Sequence, residues 1–310
     1  MTTRSNQLRI GLFGAGPWAE RTQAPAIAAH AGVEFAGVWA RRPEAAKALA
    51  EAHGTTAHTG DAGADELLAS CDVAAFALPP DVQAPLAARA AAAGCHLLLD
   101  KPVATDVAAA RDTAGAAARA GVASVVFCTL RFAAGTAAWI DDRAAEGGWY
   151  TAHVRWLGSL FADGSDSPYA ASPWRREKGG LWDVGPHALS LLLPVLGEVT
   201  GVTAARGPRD TAHLVLRHAS GASSTATLGL SAPPGAAGVS VDLVGEHGPA
   251  ALPDWGDAIG SFHAALDALV ESVRTGRPHA CDLAFGVRMT EILAEAEAQL
   301  ALRQGESPLR

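Results

Sequence analysis

Residues Leu8–Glu20 read LRIGLFGAGPWAE, a short apolar run that meets a glycine-rich turn and then a helix-forming stretch. An apolar run of this length bounded by a turn suits a strand buried on both faces, as in parallel sheets. The turn GAGPWA, Gly14–Ala19, has the spacing G-x-G-x-x-G/A of a dinucleotide phosphate turn. Gly14 allows the tight bend, and Gly16 lets the backbone approach a pyrophosphate. Ala19, in the third glycine's place, is small enough for close helix–strand packing, with Pro17 and Trp18 lying between. The helix that follows offers unpaired N–H groups to an anion. The spacing alone also fits a glycine turn in an unrelated α/β protein; the strand–turn–helix setting is what favours a dinucleotide.

Outward from this turn the same grammar repeats. FAGVW, DVAAFAL, HLLL and VASVVF alternate with Ala-rich amphipathic stretches such as PEAAKALAEAHG as far as Cys128. Repeated β-α units give a doubly wound parallel sheet, because parallel neighbours need right-handed crossovers. Beyond Cys128 the pattern changes. A helix over Ala134–Glu146 precedes the long strand WYTAHVRWLGSLF, a Pro/Ser/Gly/Asp-rich loop runs to about Lys178, and a helix starts at Asp183. Four period-2 segments follow, then helices over Asp257–Arg274 and Asp282–Arg303. Successive strands without helices between them imply a largely antiparallel open sheet. The expected division is an α/β dinucleotide-binding domain over 1–128 and an α+β domain for substrate binding and oligomerisation over 129–310.

Composition narrows the function classes. A chain of 310 residues suits about two domains, and 49% hydrophobic against 18% charged residues excludes a disordered chain. Acidic residues outnumber basic ones 32 to 24, for a net charge of −8, and no basic run occurs. Nucleic acid is therefore not an expected partner. No apolar stretch reaches the ~18–20 residues that span a bilayer, and MTTRSNQLRI shows no signal-peptide core. The expectation is a cytoplasmic protein with no membrane partner. Cys71, Cys95, Cys128 and Cys281 form no C-x-x-C pair and read as buried thiols of a reducing compartment.

Where the second strand ends, an acidic residue would bind a ribose 2′-hydroxyl, but the sequence is VWARRPEAA, with Ala40 followed by Arg41 and Arg42. Two guanidiniums before Pro43, the expected first helical position, sit at the positive end of a helix dipole. A 2′-phosphate placed there would invite bidentate contacts. NADP is thus favoured over NAD, against the alternative of a solvated arginine pair.

LLLDKP, Leu97–Pro102, puts Asp100 and Lys101 at the carboxyl end of an apolar strand, where open α/β sheets bind ligands. Pro102 disfavours a helical Lys101. An acid–base role for Lys101 requires its pKa to be lowered by burial or by a neighbouring cation; the plainer alternative is a surface Lys–Asp pair. In GGLWDVGPHALSLLLPVLG, Asp183 and His187 are four residues apart, so on one helix they share a face and the carboxylate can orient the imidazole. A metal pair competes, without an H-E-x-x-H motif or a clustered third ligand. A capping Asp183 beside a core histidine is the other alternative.

The order GAGPWA, LPPDVQAPLA, LLLDKP, TLRF, PWRREKGGLWDVGPH and a long C-terminal helical segment resembles the Gfo/Idh/MocA oxidoreductases over nearly the whole chain. The most telling elements are the E-K-P signature, here Asp100-Lys101-Pro102, and the G-G-x-x-x-D-x-G-x-H signature, here Gly179 through His187. Asp100 stands where that family has Glu, Pro80 where it often has Asn, and Ser190 where Asp commonly follows the histidine. The resemblance implies a Rossmann domain followed by an α+β domain whose open sheet mediates a dimer or tetramer. It also implies reversible hydride transfer between NAD(P) and a hydroxyl or carbonyl carbon of a sugar, cyclitol or related polyol. Carried over by position, Lys101 and His187 are the proton-transfer candidates, and Asp183 is the substrate-binding or orienting carboxylate. Arg131, Trp174 and Arg175 are implied to line the substrate pocket, and Pro79 and Asp100 to border the cofactor.

Neither Tyr150 nor Tyr169 is followed by a lysine four residues on, which excludes a short-chain dehydrogenase. Two rivals keep the same scaffold: a non-catalytic NADP-sensing or regulatory protein, and a redox-assisted hydrolase or lyase that recycles its dinucleotide.

Overall fold

The computed structural model describes residues 7–302. Both the reading of the extreme N-terminus and the expected last-helix end at Arg303 fall partly or wholly outside them. The chain runs through β1 (Leu8–Phe13), a π-helical turn (Ala19–Gln23), α1 (Ala24–Ala29), β2 (Val33–Trp39), α2 (Pro43–Ala52), β3 (Thr56–His58) and α3 (Gly60–Ser70). It continues with β4 (Val73–Phe76), α4 (Pro80–Ala92), β5 (His96–Asp100), α5 (Val107–Ala120), β6 (Ser124–Phe127) and α6 (Thr129–Phe132). There follow α7 (Ala134–Glu146), β7 (Trp149–Leu157), α8 (Pro173–Asp183) and α9 (Gly185–Leu196). The remaining elements are β8 (Val199–Arg206), β9 (Ala212–His218), β10 (Ser223–Gly229), β11 (Gly238–Gly245), β12 (Gly248–Ala251), α10 (Ala258–Thr275) and α11 (Leu283–Leu302).

The first sheet is six-stranded, ordered β3-β2-β1-β4-β5-β6, and parallel throughout. Its interior strands bury both faces; Leu12, Phe13, Val73 and Leu97 are wholly inaccessible. Strand order reverses between β1 and β4, which opens a crevice at the carboxyl ends of those strands. Local signals fix the crossovers. Asp106 caps α5 by accepting from the Ala109 N–H at 2.8 Å, and Gly121, at φ +66°, ends it in the left-handed region. β3 carries no sequence signal: it is three residues long, lies at the sheet edge, and has two exposed residues.

The second sheet, also six-stranded, is ordered β12-β11-β7-β10-β9-β8. Only the β7–β10 pair is parallel; the other neighbours are antiparallel. Along β9 burial alternates residue by residue, so one face packs inward. α9 is buried at every residue except Pro194, in keeping with a composition that is apolar apart from His187 and Ser190.

A single cut at residue 128 does not describe the compact units. Among the described residues one comprises 7–133 and 256–287, the other 134–255 and 288–302. α10 returns to the first unit, where its His263 Nε2 lies 3.0 Å from the Ala26 carbonyl oxygen and Asp267 Oδ1 3.1 Å from His30 Nε2. An amphipathic helix reveals that it has a buried face, but its pattern does not name the core that face meets. All four cysteines are buried free thiols, with Cys71 Sγ and Cys95 Sγ 4.0 Å apart. Among the described residues no helix is long and apolar enough to cross a membrane.

Candidate active site

In the first unit the Gly14–Ala19 turn leaves β1 at the carboxyl edge of the sheet. The Gly14 N–H donates to the Trp39 carbonyl at 2.8 Å, tying the turn to the end of β2. Gly14 has φ +131°, and a Cβ there would come within 2.4 Å of the Ala77 oxygen; only glycine fits. Gly16 is the opposite case, because a Cβ on it would meet nothing within 4 Å. The open side of Gly16 faces no protein atom, so its backbone is accessible to a ligand such as a pyrophosphate. Ala19 is fully buried, as helix–strand contact requires.

Gly14, Gly16, Ala40, Arg41, Arg42 and Pro79 are among the residues lining a cleft of about 320 Å³ at this edge. Pro43 opens α2, as expected, with Arg42 in extended conformation at the cap. The arginine pair therefore stands at a helix N-terminus on the rim of the glycine-turn cleft. Pro79 precedes α4 and accepts from the Val82 and Gln83 N–H groups at 3.0 and 2.8 Å. Trp18 is placed differently: its indole stacks on Phe127 at 6.3 Å between centroids and does not line that cleft.

Asp100 is the last residue of β5, and its Oδ1 accepts from the Lys101 N–H at 2.8 Å. The turn carrying Lys101 is held by a residue of the LPPDVQAPLA stretch to which the motif assigns no role. Gln83, wholly buried on α4, accepts from the Asp100 N–H at 2.9 Å through Oε1. Its Nε2 lies 2.9 Å from the Asp100 carbonyl oxygen and 3.2 Å from those of Pro102 and Val103. A buried amide that brackets Lys101 on both sides fixes where the ammonium stem starts. The signal available in sequence is its place in that stretch, as a polar residue among the alanines of α4.

Arg131 lies on α6 within the first unit, which extends past the expected boundary at 128. Its charge contributes to lowering the pKa of His279, after burial, which is the larger cause. His279 also stacks on Phe132 at 5.4 Å.

In the second unit the helix expected from Asp183 begins at Gly185, as α9, and Asp183 instead ends a separate helix. α8 begins at Pro173, inside the expected loop, kinks at Gly179 (φ +63°, ψ −163°) and ends at Asp183; Val184 then links it to α9. The kink brings Arg175 back onto Asp183, with Nε donating to Oδ1 at 3.1 Å. The Arg175 guanidinium also lies over the Trp174 ring at 4.7 Å and the Tyr169 ring at 5.4 Å. Trp174, Arg175 and Asp183 are thus one cluster, in which the carboxylate is charge-compensated and presents acceptor oxygens. His187, 9% exposed, lies flat on Trp156 of β7, with ring centroids 4.9 Å apart and planes 13° from parallel. Ser190, in the position of the family's usual Asp, donates to the His187 carbonyl at 2.8 Å. Trp156 belongs to no motif, although strand alternation could have shown that it shares a face with the buried Val154.

A parallel sheet with a glycine-turn cleft, joined in the chain to an open α/β unit bearing a buried His and a guanidinium-paired Asp, defines the architecture of dinucleotide-dependent oxidoreductases. Residues 8–127 match the model of the oxidoreductase family with an NAD-binding Rossmann fold, and 150–251 match the GFO/IDH/MocA C-terminal domain. The chain belongs to the Gfo/Idh/MocA family. It is 34% identical over 214 residues to a dTDP-3,4-didehydro-2,6-dideoxy-alpha-D-glucose 3-reductase of Streptomyces violaceoruber, a match over 66% of this chain and 59% of that protein. The match therefore spans less than two thirds of that relative's length. Among solved structures, GenD2 from gentamicin A biosynthesis, in complex with NAD, superposes with TM-score 0.83 at 22% identity, covering 97% of each chain. The WlbA dehydrogenase of Bordetella pertussis, in complex with NADH and UDP-GlcNAcA, superposes with TM-score 0.82 at 22% identity, covering 98% of this chain and all of that one (100%).

Proposed function

We propose that this protein is an NAD(P)-dependent dehydrogenase or reductase that moves a hydride to or from a hydroxyl or carbonyl carbon of a sugar, cyclitol or related polyol, with NADP as the favoured cofactor. The observation that carries the reading is the first unit's cleft, where a glycine turn with one open backbone face shares a rim with Arg41 and Arg42. A nicotinamide bound there supplies or accepts the hydride. Gly14, Gly16 and Pro79 would hold its pyrophosphate side, and Arg41 and Arg42 a 2′-phosphate. Lys101 and His187 are the proton-transfer groups: one takes the substrate hydroxyl proton in oxidation and returns it in reduction. In the second unit Asp183, held by Arg175, accepts from a substrate hydroxyl beside Trp174; in the first unit Arg131 is a further substrate-binding candidate. Gln83 and Trp156 keep Lys101 and His187 in place.

The 34% identical reductase acts on a dTDP-linked keto sugar, so nucleotide-linked keto sugars head the substrate panel. The deciding experiment follows NADPH absorbance on that panel and on free polyols. Stoichiometric change supports a dehydrogenase, product without net cofactor change supports a redox-assisted hydrolase or lyase, and binding without conversion supports a sensor. The outward face of the second sheet aligns Val215, Thr225, His153 and Asp242 across four strands, with Val215 46% exposed. We assign this face to a homo-oligomeric contact, which light scattering of the purified chain would test.

A further inference from the structure

We propose that Asp210, outside every motif, is a positioning residue for the Arg175–Asp183 pair and for His187, acting through the Gly179–Gly180 kink; this rests on the roles assigned to those residues above. Asp210 lies in the turn between β8 and β9. Its Oδ2 accepts from the Gly180 N–H at 3.1 Å and the Leu230 N–H at 2.7 Å, and its Oδ1 from the Ser231 N–H at 2.9 Å. One carboxylate thus gathers main-chain donors from two segments, 30 and 20 residues away in sequence.

Each segment matters to the candidate site. Gly179 adopts φ +63°, ψ −163°, a region essentially reserved for glycine. A Cβ on Gly180 would fall 2.5 Å from Gly229 Cα, so backbone lies flush on backbone there. This reversal closes Arg175 and Asp183, eight residues apart, to 3.1 Å, and just beyond it the Gly180 carbonyl accepts at 3.0 Å from the N–H of Val184, the cap of the helix that carries His187. On the other side of the clasp, the Phe161 N–H donates to the Leu230 carbonyl at 2.9 Å and the Gly158 N–H to Gly229 at 2.8 Å. Residues 229–231 therefore carry the start of the loop whose Tyr169 ring lies against the Arg175 guanidinium. Arg209 reinforces the turn: it sits at φ +59°, unfavourable for a side chain of its size, and its guanidinium donates to the Ser231 carbonyl at 2.8 Å.

The clasp needs a carboxylate, because only an acceptor at both oxygens can take three N–H groups. Asp210→Asn turns one oxygen into a donor facing another donor. Gly180→Ala strikes the same contact from the opposite side, and Asp210→Glu keeps both acceptors on a longer arm. In the full-length chain, the Arg175 Nε–H cross-peak and the His187 Cε1–H resonance are followed by NMR, assigned with Arg175→Lys and His187→Asn. Turnover on the screened substrate and NADPH binding are measured alongside.

Asp210→Asn and Gly180→Ala should displace both resonances and lower kcat by about 10- to 100-fold, the scale of small misplacements. Asp210→Glu should recover part of that loss, and NADPH affinity should stay within about twofold, since the cleft belongs to the other unit. Either resonance left at its wild-type position in a folded variant overturns the clasp, whatever the turnover. Displaced resonances with wild-type turnover would keep the clasp and remove Asp183 and His187 from the chemistry. Should Asp210→Asn not fold, Gly180→Ala and Asp210→Glu carry the same comparison.

Discussion

The imidazole of His187 lies on the indole of Trp156, centroids 4.9 Å apart and planes 13° from parallel. A flat contact of this kind resists rotation of the imidazole about its Cβ–Cγ bond and so fixes the directions of its two nitrogens. Trp156→Leu keeps an apolar contact but removes the flat surface, so kcat should fall by about tenfold with the cofactor KM unchanged. Trp156→Phe, which retains a ring face, should keep most of the activity. Steady-state kinetics on the three proteins check this, and a Leu variant as fast as wild type would show that the stack is not needed.

Arg41 and Arg42 share the rim of the glycine-turn cleft. Charge-assisted bonds to a phosphate are worth about 1.5–3 kcal/mol each, so Arg41→Ala plus Arg42→Ala should weaken NADPH binding by well over about tenfold. NADH, lacking that phosphate, should bind within about twofold of wild type. Fluorescence titration with both nucleotides reads the difference; equal losses, or none, would mean that the pair is only a solvated helix cap.

Lys101 and the amide that brackets it should separate in their effects. Lys101→Ala should abolish turnover while nucleotide binding persists, because the side chain is lost and the turn remains. Gln83→Met has similar length but leaves the Asp100 N–H and neighbouring carbonyls without their buried partner. The cost is about 1–3 kcal/mol of stability, together with a lower kcat from a displaced Lys101. Thermal unfolding and turnover measured on both variants would test this; an unaltered Gln83→Met protein would make the amide dispensable to both.

The parallel sheet was legible in the chain because strands buried on both faces are continuous apolar runs, and Ala-rich crossovers separate them. β3 was not: two of its three residues are exposed, and an edge strand of that length has no apolar period to read. Lys101, Asp183 and His187 could be picked out as residues, but not their partners. The spacing of Asp183 and His187 suggested one helix and one shared face. The chain instead ends α8 at Asp183 and starts α9 after Val184, and upstream of both residues it bends at Gly179, whose left-handed φ is a backbone property that a Gly-Gly pair permits without announcing. Arg175 meets Asp183 only because of that bend. The same holds for α10, whose amphipathic pattern cannot say which unit receives it, and for Gln83 and Trp156, whose roles depend on neighbours remote in sequence.

Acid should destabilise the protein through histidines buried in their neutral form. Burial lowers the pKa of His218, partly offset by its contact with Gly197, and burial is also the leading cause of the lowering at His96 and His279. His218 is 4% exposed, with Nδ1 2.9 Å from the Gly197 carbonyl oxygen and Nε2 2.9 Å from Ser224 Oγ. The carbonyl can only accept, so Nδ1 carries the proton and Nε2 accepts from the hydroxyl; a second proton would make Nε2 a donor and force the hydroxyl to reverse its role, in a site where burial disfavours the charge. For a folded pKa below the unfolded value near 6.5, the unfolded chain binds more protons within the window between them. Stability is therefore full above about pH 6.5 and declines as pH falls through that window toward the folded value. Tm measured from pH 7.5 down to 5 should drop accordingly. His218→Asn should start from a lower Tm, because the paired ring is lost, yet show a shallower decline; a slope unchanged from wild type would place the acid sensitivity elsewhere.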